Sequence, residues 1–330
     1  MRPPAPIFKP RLLRWTAIMP SKPRFWSVPF APLRYLIAWL IYLSMRGIVL
    51  LPFAWQLALG ERMGALAGRL APGRRRIVDR NLEVCFPDLP KADRDAIAAE
   101  HFKALGASVV ETAMGWFGEE REIRRRVRID GLEHLEAALA RGRGVILFSG
   151  HFTSFELLFP ALRPSCPRLC GMYKLQRNPV MNRMMNAGRR RNFDRLFAKD
   201  SVKDMLHELE RNAVVWYASD QYFAGKSSAL IPFFGTPAMT NTSISRIARI
   251  SGAAVLSYAC RRLPDATYVA SIDRPPPGFP SGDVVEDTRL LTAQLEDIIR
   301  RCPAQYWWIH QRFKGRPEPY PDIYRPVRES

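Results

Sequence analysis

The sequence is short of cysteine, short of acid, and has no long apolar run free of charge or proline. Its five cysteines, Cys85, Cys166, Cys170, Cys260 and Cys302, are odd in number and scattered. That pattern excludes a disulfide framework and suits a reducing compartment. Cys166 and Cys170 are close, but no second Cys or His pair stands beside them, so no metal site is expected. The shortage of acid is more telling: 31 Asp and Glu against 50 Lys and Arg leave a formal charge of +19. Such a balance calls for anionic partners, whether nucleic acid, acidic lipid headgroups, phosphorylated substrates or an acidic carrier protein. Basic clusters at 73–80, 121–128 and 188–195 could meet nucleic-acid phosphates. They sit in no zinc-finger spacing, no basic region feeding heptads and no aromatic RNA-binding signature, so nucleic acid is not the expected partner.

What is present begins with an apolar segment, "YLIAWLIYLSMRGIVLLPFAWQLALG", over residues 35–60. It is long enough to cross hydrocarbon, which takes about 20 residues. Arg46 near its middle and the kink expected at Pro52 argue for a helix pair lying in the interface, with one tilted spanning helix as the alternative. A pair of helices buried in the core is the reading without a membrane. The run starts too late for a secretory signal. Lys9, Arg11, Arg14, Lys22, Arg24 and Arg34 precede it, and Arg62, Arg69 and Arg74 to Arg76 follow, so both flanks look cytoplasmic and suited to acidic lipids. Three regions follow: a basic lead at 1–33, a membrane-associating helical segment at 34–70 and a catalytic domain at 71–330.

Beyond residue 90, apolar positions at helical spacing predict helices at 91–116, 131–141, 179–191, 201–211, 241–251 and 284–301. Short β-rich runs at 144–150, 168–174, 213–220, 253–261 and 266–273 predict strands between them. Strand and helix in alternation predict an α/β fold, with a largely parallel or mixed central sheet flanked by helices. In such sheets, polar residues just past a strand's carboxyl end are the usual chemical positions. His151 and Asp220 both lie there.

The stretch "GVILFSGHFTSFELLFP" (144–160) carries His151 in a strand-to-helix turn and Glu156 in the first turn of a helix. "TSFE" matches a capping box with Thr153 as N-cap, which accounts for Glu156 but not for His151. The helix dipole disfavours imidazolium at His151, leaving a neutral ring able to accept a proton. Glu156 is then the expected acid that orients that ring. "FSGHF" lacks the G-x-S-x-G nucleophile pattern, so the nucleophile is expected from the substrate: a hydroxyl that receives a transferred group.

At these residues the sequence resembles the late acyltransferases of lipid A biosynthesis, relatives of the glycerolipid acyltransferases with a His-x4-Asp/Glu motif, here "HFTSFE". The likeness continues in "NLEVCFPDL" (81–89), "DQYFAGKSSALIPFFGTPAMTNT" (220–242) and "QYWWIHQRFKGRPE" (305–318). The resemblance implies an O-acyltransferase with no cofactor. It would move a fatty acyl chain from acyl carrier protein to a hydroxyl of a phosphorylated, often Kdo-bearing, glucosamine disaccharide, on the cytoplasmic face of the inner membrane. It implies His151 as general base with Glu156 as partner, Asp220 and Gln221 ordering the turn or the substrate, and Arg189 meeting the thioester oxyanion. Where relatives often carry Tyr-Arg-Pro, this chain has Tyr173-Lys174-Leu175, so any phosphate contact there falls to the Lys174 point charge. An acceptor of another lipid class, or a peripheral lipid-binding protein with an inert His151, are the alternatives. His310 is expected at the interface or on a C-terminal strand that packs Trp307 or Trp308 inward, without a catalytic part. His101, His134 and His207 are expected on the surface.

Overall fold

The computed structural model describes residues 31–176, 178–198 and 201–325. Residues 1–30 of the basic lead, with Lys9, Arg11, Arg14, Lys22 and Arg24, lie outside the described residues. Four helices come first: α1 (Ala31–Ile48), α2 (Phe53–Leu70), α3 (Pro72–Cys85) and α4 (Lys91–Phe117). Short α5 (Glu120–Arg126) leads into β1 (Val127–Asp130), α6 (Leu132–Leu139) and β2 (Val145–Ser149). Helix and strand then alternate through α7 (Phe155–Leu162), β3 (Leu169–Tyr173), α8 (Pro179–Arg189), β4 (Arg195–Ala198), α9 (Val202–Glu210) and β5 (Val214–Ala218). A hairpin of β6 (Ser228–Phe233) and β7 (Thr236–Asn241) precedes α10 (Ser243–Ser251), β8 (Ala254–Arg262), β9 (Tyr268–Asp273) and α11 (Val284–Arg301).

Seven strands form one sheet in the order β1-β9-β8-β2-β5-β3-β4, mixed as expected, with β8 and β9 antiparallel and the other pairs parallel. β2 is buried at every residue and β5 at all but its last, which is what continuous apolar runs covered by helices on both faces require. All five predicted strands and all six predicted helices are present. The sequence reading missed β1 and β4, each of four residues and placed at the sheet's two edges. It also missed the β6–β7 hairpin, where Pro232 faces Pro237 across the ladder and the two-residue turn uses Phe234 at φ 49 and Gly235 at φ 75. Proline rarely marks a strand and phenylalanine rarely occupies a left-handed turn position. Here the Phe234 amide donates to Glu296 on α11 at 2.8 Å, which holds the turn.

The apolar segment at 35–60 is divided between α1 and α2, with Pro52 at the N-cap of α2. No helix among the described residues is long and apolar enough to cross a membrane, so the single spanning helix is corrected. Burial of the pair in the core is corrected too. Leu36, Ile37, Trp39, Leu40 and Leu43 of α1, with Trp55, Met63 and Leu66 of α2, are all exposed. What holds α2 down is its opposite face, where Gly60, Gly64 and Gly68 recur every fourth residue against α4. A Cβ on Gly64 would stand 2.1 Å from the Phe102 carbonyl oxygen, and one on Gly106 would stand 2.0 Å from that of Gly60. Only glycine lets the two backbones cross so closely.

Of the three histidines expected on the surface, one is not there. His207 is exposed and His134 half-buried, but His101 on α4 is fully buried and its Nδ1–H donates to the Ala304 carbonyl at 3.1 Å. Burial holds the His101 pKa down at about 4, against a smaller upward pull from that bond. The unfolded chain binds this proton near pH 6.5 and the folded protein does not. Stability therefore falls as pH drops through the interval between those values, by about 3 kcal/mol from this one group. His101→Gln should flatten the fall of the thermal midpoint across about pH 4 to 7, read by circular dichroism. An equally steep fall in the variant would assign the acid sensitivity elsewhere.

Candidate active site

β2 and β5 are neighbours in the sheet, parallel, with Ser149 opposite Ala218. Two residues past each strand's carboxyl end come His151 and Asp220, so the sheet register brings them together. The His151 backbone amide donates to Asp220 Oδ2 at 2.9 Å, and His151 Nδ1 donates to Asp220 Oδ1 at 2.6 Å. Gly150 makes this approach possible, because a Cβ there would stand 2.9 Å from Leu295 and 3.3 Å from both Asp220 Oδ2 and the Tyr306 ring.

Asp220 is buried, which by itself pushes a carboxyl pKa up. The His151 charge, the two His151 hydrogen bonds and one from the Tyr306 hydroxyl outweigh that and hold it well below the ordinary range. It is therefore a carboxylate at neutral pH, and the proton between the two side chains belongs to Nδ1. Nε2 of His151 has no hydrogen-bond partner among the described residues. The turn is tied to the C-terminal segment by a bridge between Phe152 and Tyr306. Backbone bonds from Thr153 to Gln305 at 2.9 Å and from Trp307 to His151 at 3.0 Å reinforce it. The indole of Trp216, stacked on Phe155 with centroids 5.2 Å apart, lies edge-on to the imidazole at 6.0 Å.

Glu156 does not orient His151; this expectation is corrected. Its buried carboxylate accepts from Arg189 Nε at 2.6 Å and from Trp116 Nε1 at 3.1 Å, with Arg189 Nη2 at 2.5 Å. The capping box does not form either: α7 opens at Phe155 after Ser154, with no side-chain cap bond, because the guanidinium and the indole take the carboxylate instead. Glu156 thus fastens the motif helix to α8 and α4. Arg189, expected at the oxyanion, is engaged in this buried pair and only 14% exposed. Its neighbour Arg191 donates to the Trp116 carbonyl at 3.3 Å. Lys174 is exposed beyond the end of β3.

Gln221 reaches His310, with 2.7 Å between Gln221 Nε2 and His310 Nε2. The His310 ring lies 6.2 Å from that of His151. A 3-10 turn at Pro303–Gln305 and a single bridge at Tyr306 stand in place of the strand considered above, and Trp308 is the indole that packs into the core. Tyr306 escaped sequence reasoning, though it stands in the 305–318 block that carried the resemblance.

An apolar groove of about 1080 Å³ runs between α1, α2 and α4 and reaches His310, whose ring is the one 6.2 Å from that of His151. Ile37, Ile41, Met63, Leu105 and Val110 are among the aliphatic residues that line it, and among the described residues its polar side chains are Ser44, Arg74 and His310. An imidazole backed by a carboxylate, with an aliphatic groove reaching the neighbouring His310, suits transfer of a long acyl chain to a hydroxyl.

Comparison with known proteins agrees with that chemistry. Residues 26–315 match the family model of bacterial lipid A biosynthesis acyltransferases. The chain is 33% identical to the lipid A biosynthesis lauroyltransferase of Escherichia coli (strain K12), over 93% of this chain and 100% of the relative. It is 32% identical to the palmitoleoyltransferase of the same strain, over 92% and 95%, and 28% identical to its myristoyltransferase, over 86% and 88%. With most of its length matched, the chain belongs to the bacterial lipid A biosynthesis acyltransferase family and is an acyltransferase.

Proposed function

We propose that the protein transfers a fatty acyl chain from acyl-acyl carrier protein to a hydroxyl of a lipid A precursor, with His151 as general base and Asp220 as its orienting acid. The observation that carries this is the pair of half-buried His151 and buried Asp220, with His310 between it and the apolar groove. Nε2 of His151 takes the proton of the acceptor hydroxyl as its oxygen attacks the thioester carbonyl. The imidazolium so formed is stabilised by the Asp220 carboxylate. Collapse of the tetrahedral intermediate breaks the C–S bond, and the leaving thiolate receives the proton from His151. No further cofactor enters these steps.

The exposed apolar faces of α1 and α2 support a seat in the cytoplasmic leaflet of the inner membrane, since so large an apolar patch is unusual on a monomer that meets only water. Arg46, Arg62 and Arg69 are exposed on the same two helices and suit acidic headgroups. A charge of +19 suits both an acidic carrier protein and a phosphorylated acceptor.

Purified protein incubated with radiolabelled lipid A precursor and carrier protein loaded with saturated and unsaturated chains should give acylated product. His151→Ala should reduce turnover by about 10³-fold or more. Transfer only to a phospholipid acceptor would refute the proposed substrate, and unchanged turnover in the variant would refute the proposed base.

A further inference from the structure

His310 reaches the site through Gln221, the chain neighbour of Asp220, and its ring stands 6.2 Å from that of His151. Its carbonyl accepts from Asn81 Nδ2 at 2.8 Å, which fixes the main chain at that point. The Gln221 amide donates to its Nε2, a bond that an imidazolium, having no free lone pair, cannot accept. The ring is therefore neutral and carries its proton on Nδ1. Desolvation and the neighbouring His151 both lower its pKa, Arg74 and Lys174 act in the same direction, and Asp220 opposes them. Nδ1–H has no acceptor among the described residues.

His310 lines the groove and its ring stands 6.2 Å from that of His151, so an acyl chain seated in the groove with its thioester at this end would bring the carbonyl beside both rings. Of the three polar side chains that line the groove among the described residues, Ser44 donates to Leu40 within its own helix at 2.7 Å, which leaves Arg74 and His310 to meet a developing charge. Of these two, His310 is the one whose ring stands beside that of His151, at 6.2 Å.

We propose that His310 is a further catalytic residue, whose Nδ1–H donates to the thioester carbonyl oxygen as it becomes an oxyanion. This rests on the function proposed above. As the acceptor oxygen forms its bond to the carbonyl carbon, the π pair moves to the carbonyl oxygen and the His310 N–H stabilises it. When the pair returns, the C–S bond breaks and the hydrogen bond weakens; His310 itself neither gains nor loses a proton. Neutrality suits the role, because a second cation beside the His151 imidazolium would oppose its formation.

The test is steady-state kinetics of wild type, His151→Ala, His310→Ala, His310→Gln and Arg74→Ala with one acyl-carrier donor and lipid A precursor, alongside thermal unfolding of each. His310→Ala should lower kcat by about 10²-fold while changing KM for the donor little, as removal of one oxyanion donor does. His310→Gln, which retains a side-chain N–H, should recover about tenfold of that loss. A His310→Ala enzyme with wild-type kcat, a loss confined to KM, or a kcat loss that falls on Arg74→Ala instead would each overturn the assignment. If His310→Ala proves unfolded, failure of the folded His310→Gln enzyme to exceed the activity of His151→Ala would overturn it. Wild type that acylates nothing refutes the function as a whole; an active wild type with an unimpaired His310→Ala refutes this role alone.

Discussion

Asp220→Asn should lower kcat by about 10⁴-fold, the loss seen when the acid of a His–Asp pair becomes an amide, with KM for either substrate little changed. The carboxylate accepts from both the backbone N–H and Nδ1–H of His151 and from the Tyr306 hydroxyl. An asparagine can still accept from the backbone amide through its oxygen, but its NH₂ then faces Nδ1. The ring answers by moving its proton to Nε2, where catalysis needs a lone pair. The imidazolium also loses its counter-charge. Because the substitution is close to isosteric, the thermal midpoint should move far less than the rate, which separates a tautomer effect from unfolding. An Asp220→Asn enzyme that keeps a tenth of its activity would show that the pair does not drive proton transfer.

That this prediction names Asp220 and not Glu156 marks where the sequence ceased to be legible. His151 and Asp220 were both visible as polar residues past strand ends, because β2 and β5 are buried runs flanked by helices and the chemistry of such sheets gathers there. Their pairing was not visible. It depends on β2 lying beside β5, a contact across 69 residues that periodicity does not encode. Glu156, five residues from His151, was the nearest acid along the chain, yet its carboxylate is claimed by Trp116 and Arg189, 40 and 33 residues away. The same limit hid His310, whose approach to His151 is made by a segment without regular secondary structure. By contrast, the break at Pro52 and the long helices were plain, since each follows from local residue types.

Glu156→Gln tests the other half of the motif and should fail in a different way. The Glu156–Arg189 pair is almost fully buried, at 3% and 14% exposure, and removing one partner of such a pair costs about 3–5 kcal/mol because the remaining charge has no counter-ion. The variant should unfold at lower denaturant, while activity per folded molecule falls less than tenfold, since no bond runs from Glu156 to the imidazole. Glu156→Gln with Arg189→Met should regain part of the stability, because both members of the pair are then neutral and the coupling between the two sites is favourable. Denaturant unfolding of the two singles and the double gives that coupling directly. A Glu156→Gln enzyme as stable as wild type but as inactive as Asp220→Asn would return the carboxylate to the reaction itself. A stable, active variant would mean that Trp116 and the surrounding helices position α7 without it. The expected result makes the spacing of this motif a packing constraint: Glu156, in the first turn of α7, must meet Arg189 at the end of α8, so that the turn before the helix carries His151 to Asp220.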